Sequence, residues 1–140
     1  QTGQADKAPT HLEAALALDP NFQDARLNLA RYHLGIKDTA SAQSLLRPIL
    51  AKGYHPKAIR LQAQIHVLNQ DFASLLAILE MITANEPDDP SAWMNLGKLQ
   101  QQRGKAKEAL QAFQRAEQLV PENTQIKMAI KQMRQTMEKE

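Results

Sequence analysis

The chain has 140 residues, 43% hydrophobic and 23% charged, with Lys+Arg 17 against Asp+Glu 15 and a net charge of +2. That length and balance fit one globular domain and exclude wholesale disorder, and so small a charge excess gives no electrostatic footprint for nucleic acid. Cysteine is absent, which excludes disulfides, thiolate nucleophiles and thiolate metal sites, and no apolar run approaches the ~20 residues a membrane span needs.

In chain order, residues 3–22 carry one helix closed by Asp19-Pro20-Asn21. Residues 23–55 carry a helical hairpin whose second helix opens on Asp38, a residue type that caps helix N-termini, and contains Pro48, where a kink is expected. Residues 56–89 carry a second hairpin, with Pro56 in the first turn of one helix and Asp71 before the other, where Leu75, Leu76, Leu79 and Ile82 recur at helical steps. Residues 90–123 carry a third hairpin that ends at Val120-Pro121-Glu122-Asn123. Residues 124–140 predict a closing helix through Ile126, Ile130, Met133 and Met137. Strand-like alternation is absent, so the fold class is all-α.

The hairpins are copies of one another. Leu12, Leu46, Leu79 and Phe113 are separated by 34, 33 and 34 residues, and Ala15, Ile49, Ile82 and Ala116 follow the same steps. The step from Tyr54 to Ala58 is one residue shorter than that from Pro20 to Ala25 or Pro87 to Ala92, which predicts a tightened turn there. Ala30, Ala63 and Gly97 share one repeat position, and all are small. A glycine inside a helix costs about 1 kcal/mol relative to alanine, so Gly97 predicts a close approach between helices, with Trp93 one turn earlier packing over a neighbour. On this basis Gly97→Leu is expected to destabilise by overpacking, and Gly97→Ala to be near neutral.

In residues 90–123, Trp93, Leu96, Gly97, Ala109, Phe113, Ala116 and Pro121 stand at the spacings of the tetratricopeptide repeat, which the chain resembles. Gln100 departs from the family's tyrosine. Residues 56–89 keep Ala63 and Pro87, residues 23–55 keep Leu29, Ala30 and Ala42, and residues 3–22 match only a second helix, through Gly3, Ala8, Leu12, Ala15 and Pro20. The resemblance implies a right-handed superhelical solenoid of antiparallel helix hairpins, one tetratricopeptide-like domain over 1–140. It also implies a fragment of a larger repeat protein, cut near Gln1.

The resemblance further implies a non-catalytic protein–protein interaction or scaffolding module that holds an extended or helical partner segment in a concave groove. Carried over by position, the groove residues are Leu27, Asn28, Arg31 and Leu34, then Lys57, Arg60, Gln64 and Val67, then Met94, Asn95 and Lys98. Asn28 and Asn95 stand where related arrays bond a peptide backbone, and Leu61 interrupts that row. Leu27 and Arg31 replace the lysine and asparagine of the carboxylate clamp used by chaperone-binding members, which argues against that role. Basic residues among apolar ones predict an acidic and hydrophobic partner segment. Each position also fits an ordinary solvated helix face.

Self-association is the alternative, through Leu12 and Leu16 at an exposed array end. Nucleic-acid binding has only Arg103, Lys105 and Lys107 around one turn, without interleaved aromatics. No phosphate loop, HExxH or GxSxG motif occurs, so neither an enzyme nor a cofactor is expected. His33 and His66 are equivalent positions, where hydrogen-bonded core histidines are expected in preference to metal ligands.

Overall fold

A computed structural model describes residues 7–140, which form eight helices and, among the described residues, no strand. These are α1 (Lys7–Leu18), α2 (Gln23–Gly35), α3 (Thr39–Leu50), α4 (Pro56–Leu68), α5 (Phe72–Asn85), α6 (Pro90–Gln102), α7 (Ala106–Leu119) and α8 (Thr124–Glu138). The fold class is all-α, a solenoid of antiparallel helix hairpins. Gly3 and the side chain of Ala8, used in the sequence match, lie outside the described residues.

The chain divides into two compact units, Gln1–Asp71 and Phe72–Glu140. In the first, α1 packs on α2, α2 on α3 and α4, and α3 on α4. Its core gathers Leu27, Ala30 and Leu34 from α2, Ala42, Leu46 and Ile49 from α3, and Ala58, Leu61 and Ile65 from α4. These are helical steps of three and four, which put one stripe of each helix inward. Burying a leucine as completely as Leu46 contributes about 1.5–3 kcal/mol.

In the second unit α6 packs on α5 and α7, and α7 on α8. Ala106, Ala109, Phe113 and Ala116 of α7 meet Ile126, Ile130 and Met133 of α8, and Trp93 and Met94 of α6 lie against them. The predicted closing helix is therefore present, and it covers the apolar face of α7.

Helix starts follow the capping residues. Asp38 accepts from the Ser41 N–H (3.1 Å), Asp89 from the Ser91 N–H (2.9 Å) and Asn123 from the Ile126 N–H (3.1 Å). An asparagine cap such as Asn123 is worth about 1 kcal/mol. His55 caps α4 through Nδ1, which accepts from the Ala58 N–H at 3.2 Å, while Pro56 takes the first helical position.

First helices end alike in all three hairpins. The N–H groups of Asp38, Asp71 and Lys105 donate back to the carbonyls of His33, His66 and Gln100 at 2.8, 2.9 and 2.9 Å. The residue before each is left-handed: Lys37 at φ 62, Gln70 at φ 55 and Gly104 at φ 73. This is the Schellman arrangement, in which glycine is the unstrained choice.

The missing residue near Tyr54 is not taken from the turn. The link 51–55 has five residues, against four in 86–89, because α3 is 12 residues long where α5 and α7 are 14. Pro48 stands in the last turn of α3, where its absent N–H costs one bond, and Gly53 at φ 130 reverses the chain beyond it.

Candidate functional site

The sequence-predicted residues lie on α2, α4 and α6, the first helices of the three hairpins. On α2, Asn28 and Arg31 are exposed, and Arg31 Nη1 donates to Asn28 Oδ1 at 3.2 Å. On α4, Lys57, Gln64 and Val67 are exposed. Arg60 is half-buried and its Nη1 donates to the Pro56 carbonyl at 3.0 Å, tying the guanidinium to its own helix. On α6, Asn95 and Lys98 are exposed, while Met94 is half-buried against the α7–α8 core. Arg31, Gln64 and Lys98 occupy one repeat position on successive first helices, and all three reach the surface.

Two predicted residues do not belong to that surface. Leu27 and Leu34 are 3% and 7% exposed and sit in the first unit's core. With Ala30 they form the inward stripe of α2, which is held between α3 and α4 and has no free apolar side there. Leu61 is buried in the same cluster. Of the other predicted apolar residues, Val67 is 52% exposed and Met94 is half-buried.

The two equivalent histidines are polar-paired. His33 Nδ1 lies 3.3 Å from Asp38 Oδ2, close enough for charge attraction, yet it has no partner in hydrogen-bond alignment. The Asp38 carboxyl is held below its usual range, first by the Ser41 hydroxyl (2.6 Å) and backbone N–H, then by His33. His66 is hydrogen-bonded: buried Gln62 offers its amide N–H groups to Gln43 Oε1 (2.9 Å) and His66 Nε2 (3.1 Å). His66 Nδ1 faces Asp71 Oδ2 at 3.7 Å. Among the described residues no three His, Asp or Glu side chains gather as a metal site would require.

Trp93 lies against the α7–α8 core and is fixed at its edge, its Nε1–H donating to the Pro87 carbonyl at 2.8 Å. The Arg115 guanidinium stands 5.9 Å from the centre of the ring, a cation–π distance, and Arg115 Nη1 donates to Gln118 Oε1 at 2.9 Å. This pair carries no signal in the repeat pattern, because the positions equivalent to Arg115 in the other repeats are Ala14, Pro48 and Met81.

The tetratricopeptide repeat pattern matches residues 62–134, more than half of the chain, and a second tetratricopeptide repeat pattern matches residues 1–65. The chain belongs to the tetratricopeptide repeat family. A curated relative, Cellulose synthase 1 operon protein C of Komagataeibacter xylinus, is 31% identical over 121 residues, covering 81% of this chain and 9% of the relative. The chain thus spans less than a tenth of that relative's length. Among solved structures, one of MamA superposes with TM-score 0.80 at 17% identity, covering 97% of this chain and 80% of the other. A MamA structure from Desulfovibrio magneticus RS-1 superposes with TM-score 0.79 at 18% identity, covering 98% and 78%. At these identities the likeness is one of fold. Tetratricopeptide repeats are protein-interaction and scaffolding units, and this chain is a module of that class. Among the described residues no helix is long and apolar enough to cross a membrane.

Proposed function

We propose that the chain is a non-catalytic scaffold whose first helices α2, α4 and α6 present their exposed sides to an extended or helical segment of a partner protein, one that combines acidic and hydrophobic residues. What supports this is that Arg31, Gln64 and Lys98 place a cation or amide at one repeat position of each first helix and are each exposed, as are Asn28 and Asn95 three residues before that position. Amide side chains offer both donors and acceptors to a peptide backbone, and the cations select carboxylates while Val67 and Met94 contribute apolar contact. No cofactor enters this role. Backbone amide NMR with a peptide alternating Glu and Leu tests it. Shifts confined to α2, α4 and α6 support the assignment, and shifts confined to α3, α5 and α7 overturn it.

Self-association is the alternative, and one observation favours it. Leu12 of α1 is only half-buried, whereas Leu46 and Phe113 at the equivalent places are fully buried. Sedimentation across protein concentrations decides it: a mass that stays monomeric removes this alternative.

A further inference from the structure

By repeat register α8 is a fourth first helix, since Thr124 stands 34 residues after Pro90. Its inward stripe follows the pattern: Ile126, Ile130 and Met133 stand where α6 has Ala92, Leu96 and Leu99, and all are buried. The neighbouring positions do not. On α6, Trp93 and Gly97 meet Arg115 and Phe113 of α7, and Gln100 is buried. On α8 the same three positions hold Lys127, Lys131 and Arg134, all exposed. Gly97 has no room even for a methyl group, so a lysine at that position bars a second helix from closing on α8 as α7 closes on α6.

What α8 presents instead is a cationic stripe. Lys127, Lys131 and Arg134 are four and three residues apart, so they share one face over about 10 Å of helix. Among the described residues no ion pair closes on any of them. They line a cleft of ≈ 440 Å³ whose carboxylates are Glu117 of α7 and Glu138, so three cations face two anions. A second cleft of ≈ 520 Å³ adjoins it, sharing Lys131 and Gln135. That cleft carries Met128, 70% exposed, and no carboxylate lines it. Together the clefts make one groove along α8, cationic on one flank and apolar at Met128 on the other.

We propose that this groove docks an acidic amphipathic helix of a partner protein. Its carboxylates, four and three residues apart, stand opposite Lys127, Lys131 and Arg134, and an apolar residue lies against Met128. Charge complementarity selects that occupant, because cations at helical spacing are matched by carboxylates at the same spacing. The methionine accepts apolar side chains of varied shape. A second copy of this chain does not fit, since none of its described helices has two carboxylates three or four residues apart. A lipid surface does not fit either, because the apolar stripe that a membrane-surface helix must insert is buried here against α7. Nucleic acid is disfavoured by Glu117 and Glu138 in the lining and by the lack of any aromatic residue on α8 to stack on bases. The cationic stripe occupies repeat positions other than that of Arg31, Gln64 and Lys98, so this site is independent of the face proposed above.

The experiment titrates the protein with an alanine-based helical peptide carrying three glutamates at that spacing with leucines beside them. An isomer in which the same glutamates are spread around the helix is the control. Fluorescence anisotropy of the labelled peptides gives affinities, and backbone amide NMR locates the binding. The expected result is that the striped peptide binds tighter by at least about tenfold, or 1.4 kcal/mol, with shifts on α8. Lys127→Gln with Lys131→Gln removes that preference. The charge-matched pair Lys105→Gln with Lys107→Gln, at exposed positions beside and within α7, keeps it. Thermal melts establish that each variant is folded. Equal affinity for the two peptides, no binding of either, or equal losses in the two variant pairs overturns the proposal. Shifts confined to α2, α4 and α6 overturn it while supporting the face proposed above. Tighter binding of phosphatidylserine vesicles or single-stranded DNA than of the striped peptide, lost in Lys127→Gln with Lys131→Gln, overturns it in favour of a lipid or nucleic-acid site.

Discussion

Position 97 is pressed against the ring of Phe113: a Cβ placed on Gly97 would stand 2.5 Å from Cε1 and 2.7 Å from Cδ1. Phe113 is fully buried, so the ring has no free space to retreat into. Gly97→Ala is therefore destabilising, not near neutral as the sequence suggests, and an overpacking cost of about 1–3 kcal/mol exceeds the propensity gain. The equivalent pair in the first unit is Ala30 with Leu46, the same two places filled by a larger and a smaller residue. Urea melts of Gly97→Ala, Phe113→Leu and the double variant should give a double variant more stable than the two single losses added together.

The helix ends predict opposite effects for one residue type. Lys37 and Gln70 hold left-handed backbone that costs a non-glycine residue roughly 1–2 kcal/mol. Lys37→Gly and Gln70→Gly should raise stability by about 0.5–1 kcal/mol, the strain relieved less the added freedom of the unfolded chain. Gly104→Ala should lower it by about 1 kcal/mol, although a Cβ there meets nothing within 4 Å, so backbone conformation alone is responsible.

Arg115 offers a third test. On pattern alone, Arg115→Glu looks like an inert change on a second helix, but the guanidinium rests on Trp93. Its loss should cost about 0.5–1 kcal/mol in thermal melts and alter the emission of Trp93.

Asp38 predicts a pH effect. Its folded pKa is depressed, so its contribution to stability is fully present above the ordinary value of 3.8 and is lost as the pH falls through the folded value. Asp38→Asn keeps an N-cap acceptor but cannot titrate. Its stability should therefore fall less steeply than that of the parent below pH 3.8, and parallel acid limbs would contradict this.

The repeat, the helix order and the close approach at Gly97 were legible because a 33- or 34-residue period repeats each packing position. What faced position 97 was not legible, since spacing identifies a small residue without naming the ring that needs it. Leu27 and Leu34 were misplaced for a related reason: family register assigns a face, whereas α2 lies between two helices and buries both leucines. The cap made by His55 and the Gln43–Gln62–His66 bonds were invisible because they depend on side-chain torsions and on contacts between helices. Asp38 was legible because its cap is local.

The most direct test of the scaffold assignment is charge reversal on the first helices. Lys57 and Lys98 are exposed on α4 and α6, and reversing them spares Arg60, whose bond to Pro56 steadies α4. An array of peptides rich in Glu and Leu, with composition-matched basic peptides as controls, is probed with the parent and with Lys57→Glu/Lys98→Glu. The account predicts that the parent prefers the acidic peptides and that the variant binds them at least about tenfold more weakly. Unchanged binding of the acidic peptides by a folded variant would contradict it.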